Sequence, residues 1–460
     1  MTEKSAQIPQ GKRSTPVVGN GTKKNAKPEN GRDQAARAKS RVAFVAPFAP
    51  LLDQVDQARG ADLYPFYSSV DPDTITNNSR RPVVLVANDY LGLASDERVR
   101  HAAREAITRF GTSRCSSPLA GGHSQLHTEL QTRVARFLQQ ESAALFASGY
   151  QANVGIVSSL VGRDDLLLTD ILNHASIIDG ARLSGAEVRF FQHNSASHLE
   201  KILAQEARGR RVLVVVEGIY SADGDIACLP ELCHAAHEHG AMLMIDEAHS
   251  LGVLGEGGRG AAEHFGLLAE VDLIMGTMSK SLASVGGFVA GDRCLVDTIA
   301  HSARSLIFSA ALPPAGAAAA LTSLQIIESE PERREQLWDN SQFFLEELQD
   351  RGFDTMNSVT PVVPIRVGDP GKTLEFAARL RSAGVLVCPA IPPMVQSHLS
   401  RVRAHVTASH TRESLGRAVT IIDQVATAIG IRRTASPAPA PSGARSRSKK
   451  RPVAAELQRI

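Results

Sequence analysis

The chain has 460 residues, 43% of them hydrophobic and 21% charged, with a formal net charge of +2. That length allows two or three domains around a large core, and the near-neutral balance carries no nucleic-acid signature. Five scattered cysteines (Cys115, Cys228, Cys233, Cys294, Cys388) give neither a disulfide framework nor zinc spacing, so no metal site is expected and a cytoplasmic setting fits.

The start of the chain has no apolar h-region and so no secretory signal. Residues 1–41 are polar and basic and are expected to be a disordered tail, with an N-terminal segment following over 42–95. From 96 to 330 short aliphatic runs, 166-LLLTD-170, 212-VLVVVE-217, 242-MLMID-246 and 271-VDLIMG-276, alternate with helical stretches such as 229-LPELCHAAHEHG-240. Strands buried on both faces read this way, and helical crossovers between them imply a mostly parallel sheet. The run 310-AALPPAGAAAALTSL-324 is broken by Pro313 and Pro314 and is not a membrane span. Residues 331–432, with 361-PVVPIRV-367, 374-LEFAARLRSAG-384 and 413-ESLGRAVTIIDQVATAI-429, suggest a smaller C-terminal α+β domain. A Pro/Ala/Ser-rich basic tail over 433–460 is again expected to be disordered. The fold class is thus α/β: a large domain, then a small one.

Three nucleotide-binding motifs fail on inspection. The run 246-DEAH-249 spells a helicase box, but 371-GKT-373 follows it rather than preceding it, and Arg366 stands where a Walker loop needs glycine. A lone 255-GEGGRG-260 opens no helix of the right pattern. In open parallel sheets, ligands bind beyond the carboxyl ends of the strands. Four such ends deliver Asp246 and His249, then Thr277, Ser279 and Lys280, then His174, and finally the 218-GIYSADGD-225 segment. Pyridoxal phosphate needs this set: a lysine for the Schiff base, a carboxylate for the pyridine nitrogen, and small donors for the phosphate.

With 88-NDYLGL-93, 146-FASGYQAN-153, 172-LNHASIIDG-180, 217-EGIYSADGD-225, 246-DEAHSLGVLGEGGRG-260, 276-GTMSKSLASVGG-287, 308-FSAALPP-314 and 403-RAHVTASHT-411, the chain resembles the α-oxoamine synthases over roughly residues 80–430. These are fold-type I pyridoxal-phosphate transferases. The resemblance implies that Lys280 carries the cofactor and acts as acid and base at the substrate α-carbon. Asp246 would pair with the pyridine nitrogen, and His249, with Ser221, would bond the phenolic oxygen. His174 would stack on the ring. Gly149, Tyr150, Thr277 and Ser279 would serve the phosphate, with Ser309 contributed from a second subunit of a homodimer. Arg403 would hold the amino-acid carboxylate, with Asn88 assisting.

The implied reaction condenses an amino acid with an acyl thioester, on CoA or a carrier protein, losing CO₂ to give an α-amino ketone. The 281-SLASVGGFVAG-291 run is closer to bacterial sphingolipid-type synthases, so a medium- or long-chain, serine palmitoyltransferase-like activity is expected. The alternatives are 8-amino-7-oxononanoate synthase-like or glycine C-acetyltransferase-like activity, or a fold-type I aminotransferase. Two departures bear on the acyl donor. The loop 111-GTSRCSSPLAGGH-123 replaces a glycine-rich family loop, and Ile391 precedes Pro392 and Pro393 where several relatives place arginine.

Overall fold

The four aliphatic runs form the centre of one sheet because their bodies are aliphatic on both faces, while the carboxylates Asp170, Glu217 and Asp246 stand at their carboxyl ends. The computed structural model describes residues 82–392 and 394–431, all within one unit, Pro65–Ile460. Both expected disordered tails, most of the 42–95 segment and Pro393 lie outside the described residues.

In chain order the strands are β1 (Val83–Val84), β2 (Ser142–Phe146), β3 (Leu166–Asp170), β4 (Glu187–Phe191), β5 (Val212–Glu217) and β6 (Met242–Asp246). They continue with β7 (Leu273–Thr277), β8 (Gly287–Gly291), β9 (Val362–Arg366), β10 (Val385–Leu386), β11 (Cys388–Ala390) and β12 (Arg401–His405). The main sheet has seven strands in the order β2-β8-β7-β6-β5-β3-β4. The pairs from β4 through β7 are parallel, and β8 runs antiparallel to both β7 and β2. Alternate residues feed two layers: Leu168, Val214, Val216 and Ile274 pack on one face, and Leu167, Val215, Met244 and Met275 on the other. Each such side chain contributes roughly 1.5–3 kcal/mol when fully buried.

The register sets the site. Glu217 lies opposite Asp246, so β5 and β6 end level, and Asp246 lies opposite Met275, so β7 runs on past them to Thr277. Past them the chain turns into the segments that hold Ser221, His249 and Lys280.

A second sheet, β11-β12-β9, is antiparallel, with the short β1–β10 pair beside it. Its core joins Val402, Ala404 and Ile365 to Phe344, Phe376 and Ile422 of flanking helices. The expected boundary at 330/331 falls between helices Pro314–Ser329 and Glu332–Asp350. The expected helix over 374–384 begins earlier, at Pro370–Ser382, because Asp369 caps it by accepting from Lys372 N. No described helix is long and apolar enough to cross a membrane.

Candidate active site

Asp246 ends β6 buried, and two donors fix its carboxylate: Asn153 Nδ2 at 2.7 Å on Oδ2 and the Ala248 backbone N–H at 2.9 Å on Oδ1. Asn153 comes from helix Gly149–Leu160, whose Ser148 cap accepts from Gln151 N. That helix begins hard against β7. A Cβ on Gly149 would fall 2.8 Å from Thr277 Oγ1, so only glycine lets the helix N-terminus approach the strand end. The free N–H groups of such a terminus are a ready anion site.

Lys280 lies just past β7. Burial lowers its amine to about 8, with Arg403 adding to the fall, while Asp246 and Glu217 favour the charge through space. Thr277 Oγ1 donates to Gly286 O at 3.0 Å and pairs with Ser279 Oγ at 2.9 Å, fixing the turn that presents the lysine. Glu217 is buried beside Asp246. Burial and that neighbouring charge raise its carboxyl to about 8, although it accepts from His174 N at 2.6 Å and Ser221 N at 3.2 Å.

His174 caps helix Ala175–Ser184, its Nδ1 2.8 Å from Ser176 Oγ; Asn153 also donates to Ser176 Oγ, at 2.9 Å. His249 sits in the turn after β6, its Nδ1 2.7 Å from Tyr90 Oη, which leaves Nε2 for any other contact. Burial, reinforced by Lys280 and Arg403, holds His249 well below the ordinary imidazole range. His405, from β12, stacks on His249 at 6.4 Å and is likewise kept neutral by burial. Arg403 reaches from β12 to donate Nη1 to Ser221 O at 2.6 Å.

The arrangement fits a phosphorylated pyridine aldehyde. A depressed amine, a carboxylate with fixed orientation, neutral imidazoles and a helix N-terminus converge here. In addition, the buried Asn88 Oδ1 and Arg403 Nε have no hydrogen-bond partner. Buried polar atoms left so are costly unless something pairs with them. Among the described residues no group of three or more His, Cys, Asp or Glu is placed to hold a metal ion.

The expected residues Asp246, His249, Lys280, His174, Thr277, Ser279, Gly149, Ser221 and Arg403 thus meet around the level strand ends. Two stand differently from the rest. Tyr150 is 47% exposed and its hydroxyl bonds Asp179, which commits that hydroxyl elsewhere. Ser309 accepts from Gln151 Nε2 at 2.8 Å within the same chain. Sequence reasoning passed over Asn153, Glu217, Tyr90 and His405 as site members. All four stood inside quoted motifs, and Glu217 ends a strand as Asp246 does, so the same edge argument could have found it.

The profile of the family described as aminotransferase class I and II matches residues 80–422. A serine palmitoyltransferase from Sphingobacterium spiritivorum is 40% identical over 79% of this chain and 92% of its own length. An 8-amino-7-oxononanoate synthase from Thermoanaerobacter pseudethanolicus is 39% identical over 77% of this chain and 90% of its own. Among solved structures, a variant serine palmitoyltransferase from S. paucimobilis with a bound PLP–myriocin aldimine superposes with a TM-score of 0.80. It is 31% identical and covers 84% of this chain and 99% of the solved one. The chain belongs to the class I and II aminotransferase family, among its α-oxoamine synthases.

Proposed function

We propose that this chain is a pyridoxal-phosphate-dependent acyltransferase that condenses an amino acid with a medium- or long-chain acyl thioester, with loss of CO₂, to an α-amino ketone. The observation that carries the reading is the convergence of Lys280, Asp246 and Arg403, which serves chemistry at an amino-acid α-carbon. Likeness to the serine palmitoyltransferase supports the acyl class.

When bound, pyridoxal phosphate supplies a sink for the electron pair left at the α-carbon. Lys280 would hold the cofactor, and its neutral Nζ would take the α-proton of the amino acid. A pKa of about 8 suits it to accept and return that proton near neutral pH. Asp246, oriented by Asn153, would keep a proton on the pyridine nitrogen. Glu217, raised to about 8, stays protonated beside it at neutral pH and adds no second negative charge. His249 would offer Nε2 to the cofactor's phenolic oxygen, with Ser221 assisting, and His174 would stack on the ring. The helix N-terminus at Gly149 and Tyr150, with Thr277 and Ser279, would receive the phosphate. Arg403 holds the substrate carboxylate with a guanidinium fork, and Asn88 assists.

The functional form is a cytoplasmic homodimer in which Ser309 serves the second subunit's phosphate. Phe308, next in sequence to Ser309, is 73% exposed, a large apolar side chain suited to a second copy. The acyl donor is a CoA or carrier-protein thioester. The test is a matrix of acetyl-, octanoyl- and palmitoyl-CoA with serine, alanine and glycine. Turnover rising with chain length supports the reading; acetyl-CoA with glycine as the best pair contradicts the long-chain part of it.

A further inference from the structure

We infer that Arg401 and Asp223 form a buried clamp that positions Arg403, and so governs affinity for the amino acid without touching it. This rests on the assignment of Arg403 to the substrate carboxylate. Alternation along β12 puts Arg401 and Arg403 on the same face of the strand. Arg401 is only 1% exposed, unusual for an arginine. Its Nη1 bonds the Asp223 carboxylate and, at 3.3 Å, Ala222 O, while its Nε donates to Leu399 O at 2.8 Å. One step along the strand face, Arg403 donates to Ser221 O at 2.6 Å. Two guanidinium groups therefore grip consecutive residues of one loop.

The same loop is also held by the residues that lead into β9, the partner strand of β12. Thr360 Oγ1 and Val359 N donate to Gly224 O at 2.8 and 3.3 Å. Gly224 has φ 74°, and a Cβ there would come 2.0 Å from Val362 O. At its other end, Ser221 N is tied to Glu217, which also receives His174 N. The loop thus links β12 to the strand end beside Asp246. A buried ion pair adds little stability over a well-packed apolar pair, so stability alone does not account for Arg401. Its geometric effect is specific. It fixes the loop whose Ser221 carbonyl takes one Arg403 donor, leaving the unpartnered Nε for a ligand.

The test uses the full-length holoenzyme and reads thermal stability, amino-acid affinity from the cofactor absorbance change, and KM for the acyl thioester. Arg401→Met and Asp223→Leu singly should lower stability, each leaving a buried charge unpaired. The double variant should recover stability yet bind the amino acid about tenfold or more weakly, because a shifted Arg403 loses a charged hydrogen bond to the substrate carboxylate. KM for the acyl thioester should stay unchanged. Should the single variants not fold, Arg401→Lys, which keeps a cation but loses the fork, should still weaken amino-acid binding several-fold. Normal amino-acid affinity in the double variant or in Arg401→Lys would overturn the clamp. Arg403→Lys separates the two readings. Normal affinity there contradicts the carboxylate site itself, whereas weak affinity there with normal affinity in the double variant overturns the clamp alone.

Discussion

Asn153 and Asp246 are joined by a 2.7 Å hydrogen bond between a helix and a strand 93 residues apart in sequence. The bond leaves Asp246 one orientation, with Ala248 N on its other oxygen. A hydrogen bond to a charged group is worth about 1.5–3 kcal/mol. Asn153→Leu should therefore slow α-proton exchange of a bound amino acid by about tenfold or more, and Asp246→Asn by orders of magnitude. Exchange into deuterated water, followed by NMR, reads both; wild-type exchange in Asp246→Asn would remove its assigned role.

Lys280 should carry the cofactor. Borohydride reduction of the holoenzyme followed by peptide mapping should find the adduct on Lys280, and Lys280→Ala should yield none. An adduct on another lysine would contradict the site. The depressed amine adds a pH dependence, since only its neutral form attacks an aldehyde. With a pKa of about 8, about a tenth of the amine is free at pH 7, and capture of added cofactor by the apoenzyme should accelerate as pH rises through 8. An ordinary lysine would keep accelerating to about 10.4.

His193 lies between Asp170, at 3.1 Å, and Asp225, at 3.1 Å. Burial opposes its charge, but the bonds to those carboxylates prevail and raise it to about 10. The folded state therefore holds a proton that the unfolded chain, near 6.5, has lost. That stabilisation is fully present below about pH 6.5 and declines as pH rises through 10. His193→Asn should flatten the fall in melting temperature between pH 7 and 10. An unchanged slope would show that His193 is neutral.

How much of this was legible follows from what buried each residue. Strands β3, β5, β6 and β7 were readable because a strand covered on both faces is aliphatic throughout. Strand β8, 287-GFVAG-291, has glycine at both ends and reads as the tail of a loop. Only its pairing with both β2 and β7 makes it a strand. Lys280 stood out as a charge among small residues and Asp246 as a carboxylate ending an aliphatic strand, whereas Arg403 came only with the family resemblance. Arg401 did not, because an arginine at the head of a strand ordinarily lies in water and its partner is 178 residues away. Sequence spacing carries no trace of such a contact.

The loop 113-SRCSSP-118 bears on the acyl donor. Arg114 and Cys115 are exposed, and Cys115 has φ 49°. Each methylene buried contributes about 0.8 kcal/mol, so kcat/KM should climb with acyl length over several carbons. Arg114→Ala should weaken thioester binding more at low salt than at high, as screened charge attraction requires. Salt-independent weakening would indicate a packing role.

The central claim is a decarboxylating condensation, and its stoichiometry tests it most directly. Purified holoenzyme given 1-¹⁴C-labelled serine and palmitoyl-CoA should release labelled CO₂ and free CoA thiol in equal amounts, each dependent on the other substrate. A keto acid formed without thiol release would make the enzyme an aminotransferase and contradict the account.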